Sequence, residues 1–507
     1  MITIGALVAF VFAAFIVLIL TPGIARLATR LGAIDYPDGH RKSQALPVPR
    51  GGGVAIALAA GIAVPVALYF AALVDGSSTA WLIWGLMPSV VILLLVGIVD
   101  DFFSLTGVYK LIGQLLAVSV LVTAGGQFDK ISLFGLSFAL GEFRIPFTIF
   151  FLLGAINAFN LIDGVDALAT SVGAIVCATL GVITAAQGHI PASIVCFALA
   201  GALVGFLRYN AAPAKVYLGD AGSMLIGLVV AAVAIESSVK QQAAFVLAVP
   251  LAICAIPILD AAAALVRRVT TGQSVFAADR GHLHHALLLR GWSVNKTVMI
   301  IAGLTTLTCA GALVSFFTKN DFCALAVAIA VFLTLAVARV FGHAEAALVA
   351  KQSMSWGRKL VSRGARRPEP ERESAVQLQG RREWQTIWAA LREAAPRYNV
   401  ASLTLQISIP HLHESFYANW KCNDTVAVSN AWRVTLPLTL ENRLVGKLSL
   451  IGSTSGQQAV ADMQQLFDFL EPLHAEIARI VVGEESLIEE DSVEAVCPAG
   501  ALKAALN

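Results

Sequence analysis

VVILLLVGIVDDFFSL (residues 90–105) runs apolar for most of its length and ends in two adjacent carboxylates, Asp100 and Asp101. An ionised carboxylate in the bilayer core is costly, so a membrane-spanning chain keeps such groups at helix ends or in cavities lined by protein. The stretch therefore reads as a spanning helix that delivers an acid pair to a membrane surface. Three more segments sit in the same way between apolar runs: NAFNLIDGVDALA (157–169), YLGDAGSM (217–224) and DRGHLHHALL (279–288). Four such loops on one face would form a single polar site beside the lipid.

Composition supports the membrane reading. Of 507 residues, 57% are hydrophobic and 13% charged, about half the charged share of a soluble domain. Apolar runs fall at about 3–24, 52–74, 80–99, 108–124, 145–157, 171–187, 191–207, 222–236, 242–265, 297–317 and 322–342. They predict an all-α polytopic membrane protein with eleven transmembrane helices, the fifth run being short for a full span. MITIGALVAFVFAAFIVLIL has no Lys or Arg ahead of its apolar stretch, and is expected to be a retained first span rather than a signal peptide. Thirteen Lys and Arg fall in one set of connections; the opposite set holds four, namely Lys130, Arg144, Lys240 and Lys319. By the positive-inside bias the first set is cytoplasmic, the N-terminus lies outside, and all four polar loops face the cytoplasm. Five of the seven cysteines lie in apolar runs and no CxxC occurs, so neither a zinc ribbon nor a disulfide framework is expected. The net charge of +2 is segregated along the chain, and no nucleic-acid partner is expected.

The pattern changes after residue 343. KQSMSWGRKLVSRGARR (351–367) is basic and reads, within 344–380, as a juxtamembrane linker; lying on anionic headgroups and simple solvation are both open to it. Residues 381–490 read as a cytoplasmic α+β module. WQTIWAALREAA has helical spacing, SLTLQISI and WRVTLPLTL alternate as strands do, RLVGKLSLIG closes a hairpin, and DMQQLFDFLEPLHAEIARIVV is an amphipathic helix. That order resembles the second half of a GAF-type sensor domain. Residues 491–507 form the tail.

Each polar loop has a plain reading and a chemical one. Asp100 and Asp101 can be a solvated helix end, yet adjacent carboxylates also suit a base or a hard-metal site. Asn157, Asn160, Asp163 and Asp166 recur every three residues, more polar groups than one helix cap requires. Asp220, between glycines at a helix start, can be an N-cap or can hold Mg²⁺ near phosphates. His282, His284 and His285 lack partners at zinc spacing and fit contacts to phosphate oxygens, with Arg267, Arg268 and Arg280 close by in sequence. DYPDGHRKSQALPVPRGGGVAI (35–56) adds Arg41, Lys42 and Arg50, which serve either phosphate binding or topology.

Taken in order, DYPDGHRK, PVPRGGG, VDDFFSL, NAFNLIDGVDALA, GDAGS and HLHH resemble the polyprenyl-phosphate N-acetylhexosamine-1-phosphate transferases of the glycosyltransferase 4 family, over about residues 1–343. The resemblance implies transfer of a sugar 1-phosphate from a UDP-N-acetylhexosamine to polyprenyl (undecaprenyl) phosphate. It further implies UMP as product, Mg²⁺ or Mn²⁺ as cofactor, a bacterial inner membrane location and a candidate homodimer. By carry-over Asp220 is the metal ligand, with Asp100 as a second. Asp100, Asp101, Asp163, His282, His284 and His285 are the catalytic set. Asn157, Asn160, Asp166, Arg41, Lys42, Arg50, Arg267 and Arg280 bind substrate. HLHH, the Arg41–Lys42 pair and PVPRGGG match the GlcNAc-1-phosphate branch better than the muramoyl-pentapeptide branch. Departures are Gln44 where His is common, Ser104 where many members have a third acid or Lys, and Ala167 where Gly is frequent. A membrane sensor acting through the C-terminal module is the expectation from a different class.

Overall fold

Residues 2–338 fold almost wholly into helices where they are described. A chain in hydrocarbon must satisfy its backbone N–H and C=O groups internally, and a helix does so within one segment. The computed structural model describes residues 2–36, 47–71, 80–133, 136–239, 248–270, 281–338, 340–341, 372–379, 383–409, 414–422, 431–440, 443–453, 459–473, 475–477 and 479–480. Arg41, Lys42 and Arg280, the basic stretch 351–367 and the tail 491–507 lie outside these residues. By their contacts the residues group into two compact units. One comprises residues 1–266, 275–278 and 282–343; the other comprises 267–274, 279–281 and 344–507.

In the first unit the helices are α1 (Ile2–Leu31), α2 (Gly52–Phe70), α3 (Met87–Phe103, preceded by a π-helical turn Trp81–Leu86), α4 (Gly107–Thr123), α5 (Arg144–Ile162), α6 (Leu168–Ala186), α7 (Ile190–Asn210), α8 (Gly219–Val239), α9 (Ala248–Ile253), α10 (Ala255–Thr270), α11 (Leu283–Leu288), α12 (Val294–Thr318) and α13 (Asp321–Val337). Thr270, in the last turn of α10, already groups with the second unit. Among the described residues eight helices are long and apolar enough to cross a membrane, and Gly107–Thr123 and Asp321–Val337 are shorter apolar helices. The chain is a multi-pass membrane protein. Each of the eleven apolar runs meets a helix, the ninth as the pair α9 and α10. The fifth run is longer than its sequence suggested: Gly141–Ile162 makes 22 residues of span, because the polar NAFN segment continues the helix instead of ending it.

α8 is the axis of this unit, with 89% of its apolar window buried. Its neighbours α2, α3 and α5 approach through small residues, as helices in lipid do when packing must replace hydrophobic drive. A Cβ at Gly53 of α2 would fall 2.2 Å from Gly222 N, one at Gly97 of α3 would fall 2.3 Å from Ala221 Cα, and one at Gly227 of α8 would fall 2.6 Å from Ile156 Cα. These approaches bring the C-terminal ends of α3 and α5 beside the N-terminal end of α8, where the acidic motifs stand. Two short strands, β1 (Ile34–Asp35) and β2 (Val48–Pro49), pair antiparallel at the same end. A second hairpin joins β3 (Lys130–Leu133) to β4 (Leu136–Ala139).

The second unit contains a five-stranded antiparallel sheet of order β5-β7-β6-β9-β8. Its strands are β5 (Arg372–Gln379), β6 (Val400–Ile409), β7 (Glu414–Lys421), β8 (Ala431–Leu440) and β9 (Arg443–Ser453), with helices α14 (Trp384–Ala394) and α15 (Ala459–Leu470). Leu403, Leu405, Ile407, Phe416, Ala418 and Trp420 point to one side and share a core with Trp384, Trp388 and Leu391 of α14. Residues 372–379, expected as linker, instead form edge strand β5 against β7. β7 itself was not anticipated.

Candidate active site

The last turn of α3, the first turn of α4, the end of α5 and the first turn of α8 meet in one ionic cluster. Lys110 Nζ lies 2.8 Å from Asp100 Oδ2 and 2.8 Å from Asp220 Oδ2, tying α3 to α8. The Asp220 backbone N–H donates to Asp101 Oδ1 at 3.2 Å. Gly219, at φ +72, makes that approach possible: a Cβ there would lie 2.7 Å from Asp101 Oδ2. Asn160 Nδ2 donates to Asp220 Oδ1 and, at 2.9 Å, to Ser223 Oγ. Asp100 Oδ1 also accepts the Leu105 N–H at 2.7 Å, which closes the α3–α4 turn. The structure thus brings together Asp100, Asp101, Asn160 and Asp220 from three separate motifs. Lys110, one of the thirteen basic residues of the set expected to be cytoplasmic, is the member that sequence reasoning missed. Its signal was a Lys in the first turn after the acid pair.

Asp163 caps α5 beside this cluster. Burial pushes its carboxyl well above the usual range, and the neighbouring carboxylates of Asp220, Asp101 and Asp166 push the same way. Asp166 has a different surrounding: its Oδ2 accepts the Ala214 N–H at 2.9 Å and so anchors the loop that leads into α8. Ala167 follows with φ +65, a left-handed position that Gly would occupy without a Cβ penalty. Asn210 holds it, accepting the Ala167 N–H at 3.1 Å and the Thr170 hydroxyl at 2.7 Å. Asn157 does not join the ionic cluster. Its amide pairs with Gln114, so the structure separates it from Asn160.

The glycine-rich entry to α2 packs backbone to backbone on the loop before Asp220. Gly52 N donates to Tyr217 O at 3.0 Å, Gly53 N to Leu218 O at 2.8 Å, and Tyr217 N to Pro49 O at 3.0 Å. Arg50 is held there: one guanidinium nitrogen bonds Asp35 Oδ1 and the other lies 3.5 Å from Asp101 O. PVPRGGG is thereby explained as a close backbone contact that aims one arginine at the acid pair.

The histidines stand on α11. His282 Nδ1 bonds Asp260 Oδ2 at 2.8 Å, and the Leu283 N–H donates to Asp260 Oδ1 at 2.8 Å. Asp260 of α10, the charge inside the apolar run IPILDAAAAL, is therefore the residue that orients this helix start. The His282 and His284 rings stack at 5.7 Å with 2° between planes, and His284 lies 4.3 Å from the His285 ring. His284 is 1% exposed, and neither of its ring nitrogens has a hydrogen-bond partner among the described residues. It reaches the NLIDG loop: a Cβ at Gly164 would fall 2.4 Å from His284 Nε2. Burial, then the charge of His285, lowers its pKa to about 3, so the ring is neutral at pH 7. Arg267, at the end of α10, groups with the second unit, where its guanidinium lies on Gly281.

The chain is similar to known proteins over its first compact unit. A profile of glycosyl transferase family 4 matches residues 83–238. A probable undecaprenyl-phosphate N-acetylglucosaminyl 1-phosphate transferase of Bacillus subtilis (strain 168) is 32% identical over 296 residues, 58% of this chain and 80% of that protein. The chain belongs to glycosyl transferase family 4. A decaprenyl-phosphate N-acetylglucosaminephosphotransferase of Mycobacterium tuberculosis is 34% identical over 337 residues, covering 62% of this chain and 83% of the relative. Within the family, a phospho-N-acetylmuramoyl-pentapeptide-transferase of Clostridium perfringens is 40% identical over a shorter 175 residues, 33% of this chain and 51% of its own length.

Carboxylate oxygens dominate the donor set, which is the chemistry of a hard divalent ion. Lys110, placed between Asp100 and Asp220, shows that these two acids converge on positive charge. No three His, Cys, Asp or Glu side chains among the described residues are grouped to hold an ion by themselves. The set therefore fits an ion that takes one or two carboxylates and completes its shell with water and substrate phosphate.

Proposed function

We propose that this family member transfers N-acetylglucosamine 1-phosphate from UDP-GlcNAc to undecaprenyl phosphate at the cytoplasmic face of the bacterial inner membrane, releasing UMP and starting a cell-surface glycan. The observation that carries the reading is the convergence of Asp100, Asp101, Lys110, Asn160 and Asp220 at helix ends. The names of the B. subtilis and M. tuberculosis relatives support a polyprenyl-phosphate acceptor and a GlcNAc-phosphate group.

An oxygen of the lipid phosphate attacks the β-phosphorus of the nucleotide sugar, and the bond to the bridging oxygen breaks, so that UMP leaves with that oxygen and its electrons. Two anions must meet, so neutralising and positioning charge is the main task of the protein. Lys110 lowers the repulsion between the acids and the incoming phosphates. Asp220 and Asp100 are the residues that would hold Mg²⁺ or Mn²⁺. Such an ion supplies charge neutralisation to the phosphates when bound. Asp101, fixed by the Asp220 N–H, orients the acceptor side of the site. Asp163 stands beside it, its carboxyl pushed upward by burial and by the neighbouring carboxylates. Neutral His284 offers one N–H and one lone pair towards donor phosphate or sugar, with His282 and His285 on the same helix. Arg50 adds a cation, and Arg41, Lys42, Arg267 and Arg280 are the further basic candidates for the substrate phosphates. Asp166 acts by holding the 211–216 loop.

Purified protein given undecaprenyl phosphate, Mg²⁺ and a panel of UDP-sugars tests this reading. UMP that needs lipid, metal and UDP-GlcNAc is the expected result. Release only with the muramoyl-pentapeptide donor would change the substrate, and no release from folded protein would overturn the reaction.

A further inference from the structure

Behind the ionic cluster lies a second polar layer that the chemistry above does not use. Three helices supply both layers. α4 gives Lys110 to the first and Gln114, one turn further on, to the second. α5 gives Asn160 to the first and Asn157, three residues earlier, to the second. α8 gives Asp220 to the first and Met224 to the second. Gln114 is fully buried, and its amide is matched atom for atom. Asn157 Nδ2 donates to Gln114 Oε1 at 2.9 Å and to Leu153 O at 2.8 Å. Gln114 Nε2 returns a bond to Asn157 Oδ1 at 3.4 Å and reaches Met224 Sδ at 3.3 Å.

A paired amide in apolar surroundings is more exacting than aliphatic packing. Leucines can slide by an ångström at little cost, but a buried amide that slips leaves polar atoms unpaired. The pair therefore fixes the rotation and rise of α4 against α5, and the thioether ties the same point to α8. Positions i and i+4, or i and i+3, share a helix face. Whatever fixes Gln114 fixes Lys110, and whatever fixes Asn157 fixes Asn160. A displacement of about 1 Å at reacting groups costs about a hundredfold in rate.

We infer that Gln114 is a positioning residue for the transferase reaction, acting through Asn157 and Met224 to set where Lys110 and Asn160 stand; this rests on the function proposed above. Gln114 touches neither substrate nor metal in this account. Its effect falls on turnover, not on binding.

The test uses the full chain in lipid nanodiscs, with UMP release measured for wild type, Gln114→Leu, Asn157→Leu, the double variant and the exchanged pair Gln114→Asn with Asn157→Gln. The expected result is a kcat about 30- to 100-fold lower in each single variant, with KM for both substrates within about twofold. The double variant should be no slower than the slower single one, because both remove one interaction. The exchanged pair, which keeps the combined side-chain reach, should recover most of the lost rate. Thermal unfolding of each variant checks that the protein is folded. A folded Gln114→Leu enzyme within twofold of wild-type kcat would overturn the inference. So would an exchanged pair as slow as the single variants, or a KM raised about tenfold at unchanged kcat, which would place Gln114 in contact with substrate. If wild type releases no UMP from any donor, the proposed function fails instead. The clasp is then read from unfolding alone: losses in the two single variants that do not add support it, and additive losses overturn it.

Discussion

Lys110 holds two carboxylates, Asp100 and Asp220, at 2.8 Å each, and its removal leaves them facing each other without a counter-charge. Lys110→Met is expected to lower kcat by about a hundredfold or more, the range seen when one charge-stabilising group is removed from a reacting site; steady-state UMP release checks it. Lys110→Arg should restore little, since a planar fork cannot take the place of a compact ammonium between two acids. His284 carries a pH prediction. Its folded pKa is about 3, below the unfolded value of about 6.5. Above pH 6.5 both states are neutral and the full stability is present. As pH falls from 6.5 towards 3 the unfolded chain takes up a proton that the folded chain refuses, and stability is lost by up to about 1.4 kcal/mol per unit. Melting temperature between pH 7 and 5 should therefore fall less steeply in His284→Phe than in wild type; parallel slopes would contradict it. At Ala167, φ is +65, so Ala167→Gly is expected to raise stability by up to about 1 kcal/mol. The acids were legible in the sequence because carboxylates between apolar runs have no other cheap place. Gln114 and Asn157 were not separable from substrate-facing polar groups, since only the fold decides whether an amide meets a ligand or another amide. The pairing of Asp260 with His282, 22 residues apart, is set by the fold and carries no local sequence signal.

Helices carry these residues only because they approach closely. Gly53→Val would place side-chain carbon where Gly222 N stands, 2.2 Å from its Cβ, and should destabilise the protein by about 3 kcal/mol through overpacking. Gly61→Ala on the same helix has nothing within 4 Å of its Cβ and should be neutral or slightly stabilising. Thermal unfolding of the two variants side by side gives the comparison. At this scale each long apolar run meets a helix, and eight of the described helices are long and apolar enough to cross a membrane, since a bilayer imposes one solution on a long run. The two strands β5 and β7 escaped for different reasons. β5 is an edge strand, and RESAVQLQ needs little apolar character to pair on one side only. In β7 the buried set Phe416, Ala418 and Trp420 alternates with Tyr417, whose ring hides the period.

The residues matched in the B. subtilis and M. tuberculosis relatives cover 58% and 62% of the chain, and the acidic cluster lies wholly in the first compact unit. A chain truncated within 344–371 is therefore expected to keep UMP release within about tenfold of the full-length rate; loss of all activity from a folded truncation would assign the second unit a part in the reaction. The sequence motifs pointed to the reaction because their order and their charged helix ends are demanded by two phosphates meeting at a membrane surface. Nothing in the motifs specifies what the five-stranded sheet does, since its residues serve its own core. The most direct measurement is UMP release by wild type and Asp220→Asn, both with undecaprenyl phosphate and UDP-GlcNAc, with and without EDTA. Metal-dependent release from wild type and a loss of about a thousandfold in the variant, still folded, are expected. Equal turnover in Asp220→Asn, or release that persists in EDTA, would contradict the proposed function.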